Sequence, residues 1–130
     1  MAKTSKKTVA PPLIRWLKEP EAHDYPAALS YLRLVCTPKV AKTLVRELER
    51  APIASFKAKD IFRASRLSQL GISNAHIERD RQKIATRTPL SPLLLVRDTN
   101  RARLIIADGY HRLCAVYEHD EDALIPCKIV

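Results

Sequence analysis

Leu104-Ile105-Ile106-Ala107-Asp108-Gly109-Tyr110-His111-Arg112-Leu113-Cys114-Ala115-Val116 is the stretch on which the fold turns. Residues 104–107 read as a buried strand, Asp108-Gly109 as a sharp turn, and the residues from His111 as a helix. A strand that feeds a glycine turn into a helix start makes a natural anion site. The first amides of the helix have no internal partner, and the helix dipole favours negative charge there. Gly109 permits a positive φ and a close approach of ligand to backbone. His111 adds a donor, and Arg112 adds a planar fork suited to phosphate. By spacing alone, an ordinary strand-to-helix turn with surface charges fits equally well, and both readings stand at this point.

The flanks extend the pattern. Residues 111–118 continue as a helix with Leu113, Val116 and Tyr117 available for packing, 119–122 form an acidic loop, and 125–130 a final strand. Upstream, Pro89 to Pro92 leads into Leu93-Leu94-Leu95-Val96, short enough for a buried strand. Asp98-Thr99-Asn100 is turn chemistry, and 103–107 is the hairpin partner. The order is β-β-α-β. Before it, Ser73 or Asn74 caps a helix to about residue 84, with Ile77 and Ile84 inward and Glu78, Arg79, Asp80, Arg81 and Lys83 on a solvated face. Gly71 separates this from a short helix holding Ile61, Phe62 and Leu67 inward. Thr37 as N-cap and Pro38 at the first helical position start a helix to about Arg50, with a core stripe of Val40, Leu44, Val45 and Leu48. Pro26 sits in the first turn of the preceding helix, whose inner face carries Leu29, Leu32 and Cys36. Residues 13–19 read as a short helix ended by Pro20. The expected fold class is therefore α+β, N-terminal helices followed by a small mixed sheet. The expected parts are a disordered basic tail (1–12), a helical region (13–70) and a β-β-α-β domain (71–130).

Composition narrows the function. The chain has 130 residues, 46% of them hydrophobic, which suits an ordinary globular core. No apolar run approaches the length of a membrane helix, and the basic residues near the start are followed by Val-Ala-Pro-Pro rather than an apolar stretch, so a cytoplasmic protein is expected. The three cysteines, Cys36, Cys114 and Cys127, suggest reduced thiols. A zinc site drawn from His111, Cys114, His119 and Cys127 lacks a close Cys-x-x-Cys pair, so no metal site is expected from them. The formal charge of +9 points to a phosphate-bearing partner, although Lys3, Lys6 and Lys7 in the tail supply part of it.

Pro-Leu-Leu-Leu-Val (92–96), Leu-Ile-Ile-Ala-Asp-Gly-Tyr-His-Arg-Leu-Cys-Ala (104–115) and Ile-Pro-Cys-Lys-Ile-Val (125–130) together resemble the ParB/sulfiredoxin-like superfamily over about residues 73–130. In sulfiredoxins the turn is Gly-Cys-His-Arg. Here Tyr110 stands in place of the reactive thiol, which argues against sulfinic acid reduction. Chromosome-partition ParB proteins have Gly-Glu-Arg-Arg, of which only Gly109 and Arg112 match, which argues against a CTP-operated clamp. The Asp-Gly-His-His-Arg turn of ParB-like free serine kinases is matched at Asp108, Gly109, His111 and Arg112.

The resemblance implies a nucleotide site built from Asp108, Gly109, Tyr110, His111 and Arg112. The backbone near Gly109 and Tyr110 would hold phosphate oxygens, His111 and Arg112 would neutralise charge, and Asp108 would orient His111 or bind Mg2+ through water. ATP or another nucleotide is the expected ligand. ATPase, kinase and nuclease activities stay open beside plain binding. Phosphoryl transfer needs one carboxylate to accept a proton, and Glu78 is the catalytic candidate, with Asp80 behind it. The alternative is a non-catalytic DNA-binding protein in which residues 59–84 form a helix-turn-helix-like segment presenting Arg79, Arg81 and Lys83 to the major groove. A third reading is an interaction module whose N-terminal helices dock a protein partner or a second copy.

Overall fold

In the computed structural model, which describes residues 13–68 and 75–130, the chain is α+β: five helices and a four-stranded mixed sheet among those residues. The tail (1–12), the break at Gly71 and the cap at Ser73 or Asn74 lie outside the described residues. The elements are α1 (Asp24–Val35), α2 (Pro38–Arg50), β1 (Ala54–Lys57), α3 (Ala58–Ser65), α4 (Ala75–Ala85), β2 (Leu93–Asp98), β3 (Arg103–Asp108), α5 (Tyr110–His119) and β4 (Leu124–Ile129). The sheet order is β1-β4-β2-β3, with β2 parallel to β4 and the outer pairs antiparallel.

The unbroken apolar run of β2 follows from burial on both faces. Successive side chains of a strand point to opposite sides. Leu93 and Leu95 join one cluster with Ile61 of α3, Ile77 and Ile84 of α4 and Leu113 of α5, while Leu94 and Val96 join another with Leu32 of α1 and Leu48 of α2. In β3, Ile106 faces the first cluster and Ile105 and Ala107 the second. The sheet is the middle of three layers. In β4, Pro126 is accommodated because pairing with β2 begins only at Cys127. Cys114 and Cys127 are buried free thiols, Cys36 is half-buried, and burial pushes Cys127 up to about 11.

The helix signals at Thr37-Pro38 act as expected: the Thr37 hydroxyl accepts from the Val40 amide at 3.3 Å. The inward faces are rotated from the expected ones. α2 buries Ala41, Val45 and Leu48 while Val40 is exposed and Leu44 half-buried, and α1 buries Ala28 and Leu32 while Leu29 is half-buried. Small alanines let α1 lie close to β3 and to α2, so alanine rather than the larger neighbour marks the contact face.

Three expectations are corrected. Residues 13–19 are not a helix: Leu17 donates to the Leu90 carbonyl and Leu90 to the Arg15 carbonyl, both at 2.8 Å, so the segment lies extended along residue 90. Ile14 and Trp16, two residues apart, pack on the core as a strand would place them. The region 13–70 is not simply helical, because β1 lies within it and pairs with β4. Both hydrophobic clusters draw on residues from each side of position 70. Leu67 is exposed, because α3 ends at Ser65 and Arg66 turns left-handed at φ 59°.

The β2–β3 hairpin also needs a left-handed residue, and Ala102 fills that place at φ 51°. Glycine accepts this conformation without a Cβ clash. Ala102→Gly is therefore expected to stabilise the chain by about 1 kcal/mol, read as a raised urea midpoint with unchanged slope.

Candidate functional site

β3 ends where β2 begins, with Asp108 opposite Leu94, and the chain then reverses at Gly109. Gly109 has φ 110°, and a Cβ there would lie 2.7 Å from Leu93 Cγ and 2.8 Å from Arg112 Nη2. Only glycine meets both demands. The Leu113 amide bonds the Gly109 carbonyl at 2.9 Å, so the amides of Tyr110, His111 and Arg112 precede the first intrahelical bond of α5.

This turn forms one wall of a polar cleft of about 220 Å³. α4 contributes His76, Arg79, Asp80 and Lys83; α5 contributes His111 and Arg112; Glu21, His23, Ser91 and Asp108 complete it. Arg112 Nη2 donates to Asp108 Oδ2 at 3.1 Å and reaches the Pro92 carbonyl at 3.5 Å. Arg112 and Asp108 side chains are only 17% and 18% exposed. Arg112 Nε is buried and has no hydrogen-bond partner among the described residues, so the guanidinium keeps donor capacity beyond its ion pair.

Opposed influences set the proton affinities. Burial pushes the Asp108 carboxyl up, Arg112 pulls it back, and the nearby Asp24 pushes it up again; the net direction is upward. Asp24 is itself buried in the first turn of α1, where it accepts from the Glu21 amide at 2.9 Å and from the Ser91 hydroxyl, with His23 Nε2 at 3.4 Å. Glu21, His23 and Asp24 each bring one metal-ligating atom within 4.8 Å of the others. Burial also raises Asp80, against the pull of Arg112, Lys83, His111 and Arg79. His111 is lowered by burial and then by His76, with Asp80 opposing; the two imidazole centroids lie 4.9 Å apart.

The sequence candidates therefore separate. Asp108, Gly109, His111 and Arg112 surround the cleft. Tyr110 gives the turn only its backbone: its hydroxyl donates to the Ser68 carbonyl, its ring meets Phe62 edge-on at 6.4 Å, and burial pushes its phenol up to about 12. Glu78 is outside the cleft, half-exposed and 3.7 Å from Arg81, which is itself ion-paired with Glu118 of α5. Helical spacing explains the split: residues 76, 79, 80 and 83 share one face, while 78 and 81 point elsewhere. Arg79 and Lys83 thus face the cleft, Arg81 does not, and the three do not form one free basic face. Asp80 was read as solvated but is 8% exposed and lines the cleft.

Sequence reasoning missed Glu21, His23, Asp24, His76 and Ser91. Asp24 and Ser91 are separated by 67 positions, and only the packing of α1 beside the β2 start brings them together. The one local signal is Asp24 two residues before Pro26, where an acid suits a helix start.

Comparison with protein-family models, with curated proteins and with solved structures finds no match to this chain.

Proposed function

We propose that the cleft binds the phosphate groups of a nucleotide, ATP or another, together with Mg2+. The observation that carries this reading is Arg112: a largely buried guanidinium with an unspent donor, lining the cleft beside the first turn of α5. Arg79, Lys83 and the amides of Tyr110, His111 and Arg112 offer the phosphate side, and the cleft-lining carboxylates Asp108 and Glu21 offer the oxygen donors that Mg2+ prefers. The order β2-β3-α5-β4 supports membership of the ParB/sulfiredoxin-like superfamily as part of the same proposal. For a reaction on bound phosphate, Asp80 replaces Glu78 as the carboxylate in reach, since burial raises its affinity for a proton.

Isothermal titration with ATP, ADP and CTP in the presence of Mg2+ tests the reading. Saturable binding that is lost in Arg112→Ala supports it, and no binding by the wild type overturns it.

The pH dependence has a defined sign. His111 in the free cleft is held below its ordinary value by burial and His76, so it is neutral at pH 7. A phosphate beside it favours the charged form. Binding is therefore expected to take up a proton, and affinity to rise as the pH falls from the His111 value in the complex through its lowered value in the free chain. The measurement is the binding enthalpy in buffers of different ionisation enthalpy. Subtracting the same series on His111→Asn isolates His111 from the nucleotide and from His23 and His76. Equal proton uptake by both proteins would contradict the assignment. The same lowering makes the free chain's His111 contribution to stability full above about pH 6.5 and lost as the pH falls through the folded value.

A further inference from the structure

The sheet carries a second recess at its other end. β2 and β3 stay paired as far as Asp98 and Arg103, and α3 flanks that end of the sheet. Ile61 and Ala64 of α3, with Leu95, Leu104 and Ile129 of the sheet, line a recess of about 400 Å³. Phe56 stands at its edge, 38% exposed. Well-packed interiors leave few voids larger than water, and an apolar recess of 300–1,000 Å³ with a few placed polar groups is the usual form of a small-molecule site.

The polar rim is uneven. Asp60 is held by Arg63 at 3.4 Å, and Asp98 by Arg101 at 3.3 Å and Arg103 at 3.5 Å. Both carboxylates are thus already partnered. Arg97, which also lines the recess, is exposed and has no acidic partner among the described residues. It lies two residues beyond Leu95 on the same strand face, above the apolar floor. Among the described residues the rim therefore offers the Arg97 guanidinium without an acidic partner, and an Arg103 Nε without a hydrogen-bond partner, beside an apolar pocket, and that charge selects an anion.

We propose that this recess is a binding site, separate from the polar cleft, for a small molecule with an apolar body and one carboxylate, the body lying on Leu95, Leu104 and Ile129 and the carboxylate on Arg97. The probe is octanoate, with octanol as its uncharged counterpart, titrated into the full chain and followed by amide chemical shifts. The expected result is saturable shifts confined to β1, α3, the β2–β3 hairpin and the end of β4, with octanoate binding about tenfold more tightly than octanol. Arg97→Gln, at an exposed position, should bring octanoate to the affinity of octanol without changing the melting temperature. Ala64→Phe should fill the recess and weaken both probes. Shifts dispersed over the surface, equal affinity for the two probes, no saturable binding, or ligand-free shifts that depend on protein concentration (a second copy occupying the recess) would each overturn the proposal.

Discussion

Gly109→Ala is expected to destabilise the chain by about 3 kcal/mol, a fall of roughly 10 °C in melting temperature, and to remove nucleotide binding as well. Two costs add. The backbone at φ 110° lies outside the region an alanine adopts readily, and the new methyl group meets Leu93 Cγ at 2.7 Å. Leu93, the first residue of β2, is fully buried in the cluster shared with α3, α4 and α5, so it has little room to yield. Arg112 Nη2, at 2.8 Å from the same methyl, must also move, and its movement breaks the ion pair with Asp108. Thermal unfolding followed by circular dichroism checks the first effect, and calorimetric titration at a temperature where the variant is folded checks the second. A variant as stable as the wild type would contradict the left-handed turn.

Arg112→Ala is expected to weaken nucleotide binding by about 30- to 100-fold, the equivalent of ~2–3 kcal/mol for lost charge-assisted hydrogen bonds. The same change leaves Asp108 buried without its counter-ion, so some stability is lost too. The two effects can be separated. In Arg112→Ala with Asp108→Asn the unpaired charge is gone, and the melting temperature should recover while binding stays weaker than in Asp108→Asn alone, which reports the share lost with the proposed Mg2+ ligand. Arg112→Lys should keep the charge but lose the planar fork, giving an intermediate affinity. If the double variant regained binding along with stability, the role of Arg112 would be structural only.

Much of the second half was legible because its signals are local. The four apolar residues opening β2, the turn at Asp98-Thr99-Asn100 and the Asp108-Gly109 break each limit the backbone within a few residues, and the elements lie where those signals put them. β1 was not legible. Only Ala54 of its four residues is even half-buried, so no alternation marks it, and backbone pairing with β4 about 70 positions away supplies the strand. The extended run before Pro20 failed for the same reason: Ile14 and Trp16 admit either period, and the choice was made by hydrogen bonds to residue 90.

At the site, the sequence located the wall made by residues 108–112 but not the one opposite. The α1 start enters the cleft only after α1 and α2 pack on the far face of the sheet. Helical phase decided between Glu78 and Asp80. The two are adjacent in type and two apart in number, yet α4 buries Asp80 toward Arg112 and leaves Glu78 beside Arg81. Ile77 and Ile84 mark the inward side of α4 and Asp80 lies one turn from Ile77, but the charges of residues 78–83 assigned the whole run to solvent.

The most direct measurement is a crystal structure of the full chain with ATP and Mg2+. The account predicts phosphate oxygens within hydrogen-bonding distance of the Tyr110, His111 and Arg112 amides and of the Arg112 guanidinium. Nucleotide bound elsewhere on the surface, or an empty cleft at saturating ATP, would contradict it.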